Sequence, residues 1–166
     1  MAAANAWALL ALLDGSPADW IDPAVRSRLR KRASDRSWVE AALRHGEPRS
    51  IVHEWRVLVP DLKRIAESFP LVRAGLSADN AGIDVVQVRM MLDAYVAGPI
   101  VSSIRRLARP LEASEEANLV LRVPSEPWVL QQKDRAPSSV VAADLLDHRD
   151  PRVSRAARRV LRELSA

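Results

Sequence analysis

IDVVQVRMMLDAYVA, Ile83–Ala97, is the stretch on which the fold class turns. Its length and its Met90-Met91-Leu92 suit a helix, whereas Val85, Val86, Val88 and Tyr95-Val96 suit strands. Read as one long helix, it gives an all-α chain, a helical bundle or repeat-like stack. Read with strand character, it joins a sheet and makes the chain α+β. Its neighbours favour the sheet. Asn118–Pro124 (NLVLRVP) is short, β-rich and flanked by turn formers, the clearest strand in the chain. Leu71–Leu76 (LVRAGL) is a short apolar run consistent with a buried strand, and Ser77–Gly82 is turn chemistry.

Outward from this centre, helical signals dominate. A first helix is predicted over Ala4–Leu13, ending at Asp14-Gly15. A second opens at Asp22-Pro23, an N-cap followed by a proline that loses nothing at the first helical position, and runs to Ala33. A third spans Ser34 or Asp35 to Gly46. Ser50 is read as the cap of a fourth, with Val52, Trp55, Leu58 and Val59 as its apolar stripe and Pro60 breaking it before Asp61–Ser68 resumes. Ile100–Arg109 is helical in pattern. Pro124–Pro137 reads as a polar loop, and Ser138 or Ser139 caps a helix through Leu146. Asp150-Pro151 opens the last helix, where Val153, Ala156, Ala157, Val160, Leu161 and Leu164 form one stripe. The expectation is an α+β chain, a helical N-terminal half followed by a small sheet packed with helices. Residues 1–48 form a helical segment and residues 49–166 an α+β domain.

Composition narrows the chemistry. The chain has 166 residues, about half of them hydrophobic, so it can bury a core. It has no cysteine, which excludes disulfides, thiolate metal sites and cysteine nucleophiles. No apolar run approaches the ~18 residues of a membrane helix. The opening MAAANAWALLALL lacks a basic flank and a small-residue cleavage site, and reads as a helix rather than a signal peptide. The expectation is a soluble, cytoplasmic protein without a membrane partner. His45, His53 and His148 are scattered with no third ligand at metal spacing, so neither a metal nor another cofactor is expected.

The net charge is +4, with 22 Arg and only 3 Lys, a bias that GC-rich codon usage also produces. Its placement is more informative. Arg26, Arg28, Arg30, Lys31, Arg32 and Arg36 lie between Asp22 and Arg36, against Asp22 and Asp35 alone. Arg152, Arg155, Arg158, Arg159 and Arg162 lie in the last helix. Two localised basic helices suit a polyanion, although a solvated amphipathic face reads the same way. Among the five tryptophans, Trp20 and Trp128 lie beside prolines in loops and are candidate exposed anchors.

Gly75-Leu76-Ser77 follows a predicted strand, as the Gly-Ser of minimal nucleotidyltransferases does. There, two carboxylates two residues apart on the next strand hold Mg²⁺. Here Asp84 has Val86 in the second position, and Asp79 and Asp93 are out of phase with it. No catalytic residue is therefore assigned.

Val72–Ala78 (VRAGLSA), Asp93–Val96 (DAYV), Asn118–Val123 (NLVLRV) and Ala136–Leu146 (APSSVVAADLL), followed by Asp150-Pro151-Arg152, occur in an order that resembles the C-terminal region of AbiEi-type antitoxins. The resemblance covers roughly residues 50–164. It implies a degenerate, non-catalytic nucleotidyltransferase-like domain in a toxin–antitoxin system, a transcription regulator that binds its operator and opposes a toxin. Residues 1–48 depart from the winged helix of that family, because no hairpin wing is legible there.

The expected function is thus a non-enzymatic, antitoxin-like regulator with DNA and a cognate toxin protein as partners. Arg26, Arg28, Arg30, Lys31, Arg32 and Arg36 would contact nucleic acid. Trp20, Trp128, Arg155, Arg158, Arg159 and Arg162 would contact a partner. A helical protein–protein adaptor without nucleic-acid binding is the alternative, and an active nucleotidyltransferase using Asp84 the third reading.

Overall fold

The computed structural model describes residues 1–78, 91–112, 117–132 and 134–165. It divides into two compact units. The first joins residues 1–49 to residues 137–165, so the last two helices cluster with the N-terminal ones rather than with the sheet. The second comprises the described residues from 50 to 136.

In the first unit, α1 (Ala3–Leu13) is apolar except for Asn5 and is its buried centre: Ala6 to Ala11 are at most 1% exposed. Gly15, at φ +76°, turns the chain out of it. α2 (Pro23–Arg32) is capped by Asp22, whose carboxylate accepts from the amides of Ala24 and Val25 at 2.8 and 3.2 Å. α3 (Arg36–Arg44) is capped by Asp35, which accepts from Trp38 N at 3.1 Å.

In the second unit, a five-stranded sheet runs β2-β3-β5-β1-β4. Its strands are β1 (Ser50–Arg56), β2 (Val72–Arg73), β3 (Leu92–Tyr95), β4 (Leu111–Glu112) and β5 (Leu119–Pro124). β3 and β5 are parallel and the other pairs antiparallel. Trp55, Leu92, Ala94, Leu119 and Leu121 share one face. They pack against Leu62 and Ile65 of α4 (Val59–Ser68) and Ile104 of α5 (Gly98–Ala108). Returning to the first unit, α6 spans Ser138–Asp144 and α7 spans Pro151–Leu164. Asp150 caps α7 through Arg152 N at 2.8 Å.

The chain is α+β. Within Ile83–Ala97, residues Leu92–Tyr95 are strand, and residues 83–90 lie outside the described residues. Three local expectations are corrected. Ser50–Arg56 is a strand, not a helix, because it pairs along six residues with β5. Pro60 does not break a helix but sits in the first turn of α4, where no amide donor is needed. Of Leu71–Leu76 only Val72–Arg73 is strand. Gly75, at φ +47°, starts a 3-10 turn over Gly75–Ser77.

Two buried polar contacts tie α6 to its unit. Arg49 Nη2 bonds Asp144 Oδ1 at 2.8 Å, with Asp144 2% exposed, while the Arg49 guanidinium lies 5.8 Å from the Trp7 ring centre. Trp7 Nε1 in turn donates to Arg49 O at 3.0 Å. Asp14 accepts from Ser139 N at 3.2 Å and contacts the Ser139 hydroxyl, which also donates to Leu10 O at 2.9 Å. Burial pushes the Asp14 carboxyl above 3.8, and the bonds from Ser139 pull the other way without cancelling it.

Removing one partner of a buried pair strands the other charge. Arg49→Met is expected to lower stability by about 3–5 kcal/mol in urea denaturation. For Asp14, the raised value means that the folded chain binds this proton more tightly than the unfolded one. Its stabilising contribution is full below 3.8 and is lost as pH rises through the raised value. Asp14→Asn lacks that loss. Its stability relative to the native chain should therefore increase with pH across this window, as measured by denaturation at a series of pH values.

Candidate functional site

α2 anchors itself through Leu29, 7% exposed. Arg28, Lys31 and Arg32, at i, i+3 and i+4, form a stripe on its exposed surface, with Arg30 on the other side. Arg36, in the first turn of α3, is exposed as well. Among the described residues none of Arg28, Arg30, Lys31 and Arg36 is ion-paired. Arg32 places its guanidinium 5.3 Å over the Trp38 ring. Arg26 differs from the rest, being half-buried and paired with Asp19. Arg30, Lys31 and Arg32 also sit in the last turn of α2, where cations complement the helix dipole. Asp35 beside them stays ionised. The Trp38 amide, then the Ser37 hydroxyl, hold its carboxyl below 3.8, with the Arg32 charge a smaller cause.

Four arginines of α7 have partners on its own surface or on α3, whereas Arg152 is exposed and unpaired among the described residues. Arg155 Nε donates to Pro151 O at 3.0 Å and Arg162 Nε to Arg158 O at 3.3 Å. Arg158 lies 2.9 Å from Glu40 of α3, and Arg159 lies 4.0 Å from Glu163. Trp20 is 37% exposed, but Trp128 is only 8% exposed. Trp128 is therefore not an exposed anchor. The loop expected over Pro124–Pro137 contains a 3-10 segment, Pro127–Gln131, that turns this indole and Val129 inward.

The strand that follows Gly75–Ser77 among the described residues is β3, and it carries Asp93, 2% exposed. Both carboxylate oxygens accept from Arg122 of β5, from Nε at 2.7 Å and Nη2 at 2.9 Å. Ser77 Oγ accepts from Asp93 N at 2.6 Å and donates to Met91 O at 3.3 Å. A Cβ at residue 75 would stand 2.0 Å from Asp93 Oδ2, so glycine is required by space as well as by φ. Two residues along β3 is Tyr95, fully buried, in register with Arg122.

Asp93 is the residue that sequence reasoning set aside in favour of Asp84, which lies outside the described residues. A signal existed: Arg122 is a lone charge inside an otherwise apolar strand, and a buried guanidinium needs an acid. Among the described residues no group of three His, Asp or Glu side chains converges as metal ligands. No described helix is long and apolar enough to cross a membrane. No protein-family model, curated protein or solved structure matches the chain.

Arg122→Met would leave Asp93 buried without its cation. A drop in stability of about 3–5 kcal/mol is expected in chemical denaturation, and Asp93→Asn combined with Arg122→Met should recover most of it.

Proposed function

We propose that the chain is a non-enzymatic, nucleic-acid-associated regulator of the AbiEi antitoxin kind. It acts in the cytoplasm, binds DNA through α2 and opposes a cognate toxin protein. The observation that carries the reading is the contrast between the two basic helices. In α7, Arg155 and Arg162 bond their own helix carbonyls and Arg158 and Arg159 lie beside glutamates, which leaves Arg152 alone unpaired there among the described residues. Arg28, Arg30, Lys31 and Arg36 make no such pairs among the described residues. Cations held on a short rigid helix without internal anions can release the counterions of a phosphate backbone, which is the main source of such affinity. They position a duplex without reading its bases. The non-enzymatic part draws support from Asp93, whose carboxylate oxygens are both occupied by Arg122. The position where a second acid would stand holds Tyr95.

A protein–protein adaptor is the second reading. Ile51, Leu58 and Leu111 favour it, at 66%, 73% and 71% exposed around the β1–β4 edge of the sheet.

Duplex binding followed by fluorescence anisotropy separates the two. Three or four phosphate contacts should weaken affinity roughly 40- to 150-fold between about 50 and 200 mM salt. Charge removal at Arg28, Lys31 and Arg32 together should flatten the slope of log K against log salt by about 0.9 for every phosphate left without its cation. Affinity that is unchanged in this variant removes the nucleic-acid reading and leaves the adaptor.

A further inference from the structure

Beside α2, the first three helices wall a groove of about 530 Å³, a size typical of small-molecule sites. Val25, Leu29 and the half-buried Trp38 form apolar wall, and Asn5, Arg28 and His45 are polar groups on it. The carboxylates of the neighbouring elements are committed elsewhere. Asp22 and Asp35 cap α2 and α3, Glu40 pairs with Arg44 and Arg158, and Glu47 accepts from Ala3 N. None of them lines the groove. Among the described residues, an apolar recess thus carries a guanidinium with no acid of its own, next to an indole that already supports the Arg32 cation.

We propose that this groove binds a small organic anion with a flat apolar body, an aromatic carboxylate or sulfonate. The ring lies against Trp38 and Leu29, where it loses water-exposed area, and the acid group meets Arg28. Arg28 also belongs to the cation stripe of α2, so an occupied groove withdraws one charge from a bound polyanion. That coupling rests on the reading of α2 above; the ligand site does not.

The test titrates the full chain with anilinonaphthalene sulfonate and, separately, with its uncharged phenylnaphthylamine analogue, by fluorescence and calorimetry. One saturable site is expected, with the sulfonate bound at least about ten-fold tighter than the neutral analogue. Arg28→Gln should erase that preference. Ala41→Glu, at an exposed position on the groove, should abolish sulfonate binding with the far-UV circular dichroism unchanged. No saturable binding, equal affinity for the two probes, or a preference that survives Arg28→Gln overturns the site. A probe that stays bound while duplex DNA saturates the chain overturns the coupling alone.

Discussion

Asp93 carries a carboxylate into a place that water barely reaches, and Arg122 makes this tolerable. An uncompensated charge at that depth would cost several kcal/mol, so the surrounding geometry is constrained to supply the guanidinium. The parallel register of β3 and β5 must set Tyr95 beside Arg122, from which the side chain reaches back to Asp93. The turn at residue 75 must lack a Cβ, because the space is taken by Asp93 Oδ2. Ser77 must face the strand to receive the Asp93 amide. Segments far apart in the chain are thereby fitted to one another around one ion pair.

The same pair governs what the site can do. A carboxylate pair two residues apart on a strand can share a divalent cation, because both acids project from the same face. In β3 those positions hold Asp93 and Tyr95, and the single acid is already bound on both oxygens by a neighbouring strand. The local chemistry is that of a structural salt bridge, sealed by a tight turn.

The two basic helices show how little a charge pattern says without its surroundings. Both open on Asp-Pro and both carry arginines at helical spacing. In α7, Arg155 and Arg162 fold back onto carbonyls of the same helix, and Arg158 and Arg159 meet Glu40 and Glu163. Among the described residues of α2 only Arg26 finds an acid, Asp19, while Arg28, Lys31 and Arg32 stay on the exposed stripe. Three of these α7 contacts are i,i+4 within the helix, whereas Glu40 comes from α3, which no count along α7 contains.

Features written within a few residues were legible from sequence alone. Asp22 and Asp150 cap the helices that their Asp-Pro pairs announce, and of Ser34 and Asp35, the two starts open to the third helix, Asp35 is its cap, because a cap is a bond between a side chain and an amide two or three residues on. The strand at Asn118–Pro124 and the apolar stripe of α7 were legible for the same reason: their periods are local. Tertiary structure decided the rest. Ser50–Arg56 has spacing that a helix could use, and it is a strand because its ladder partner lies more than sixty residues further on. Trp128 sits beside a proline in a polar stretch, yet a 3-10 turn carries it inward. Asp93 acquired its importance only when β3 met β5, since burial and an ion pair are properties of neighbours in space.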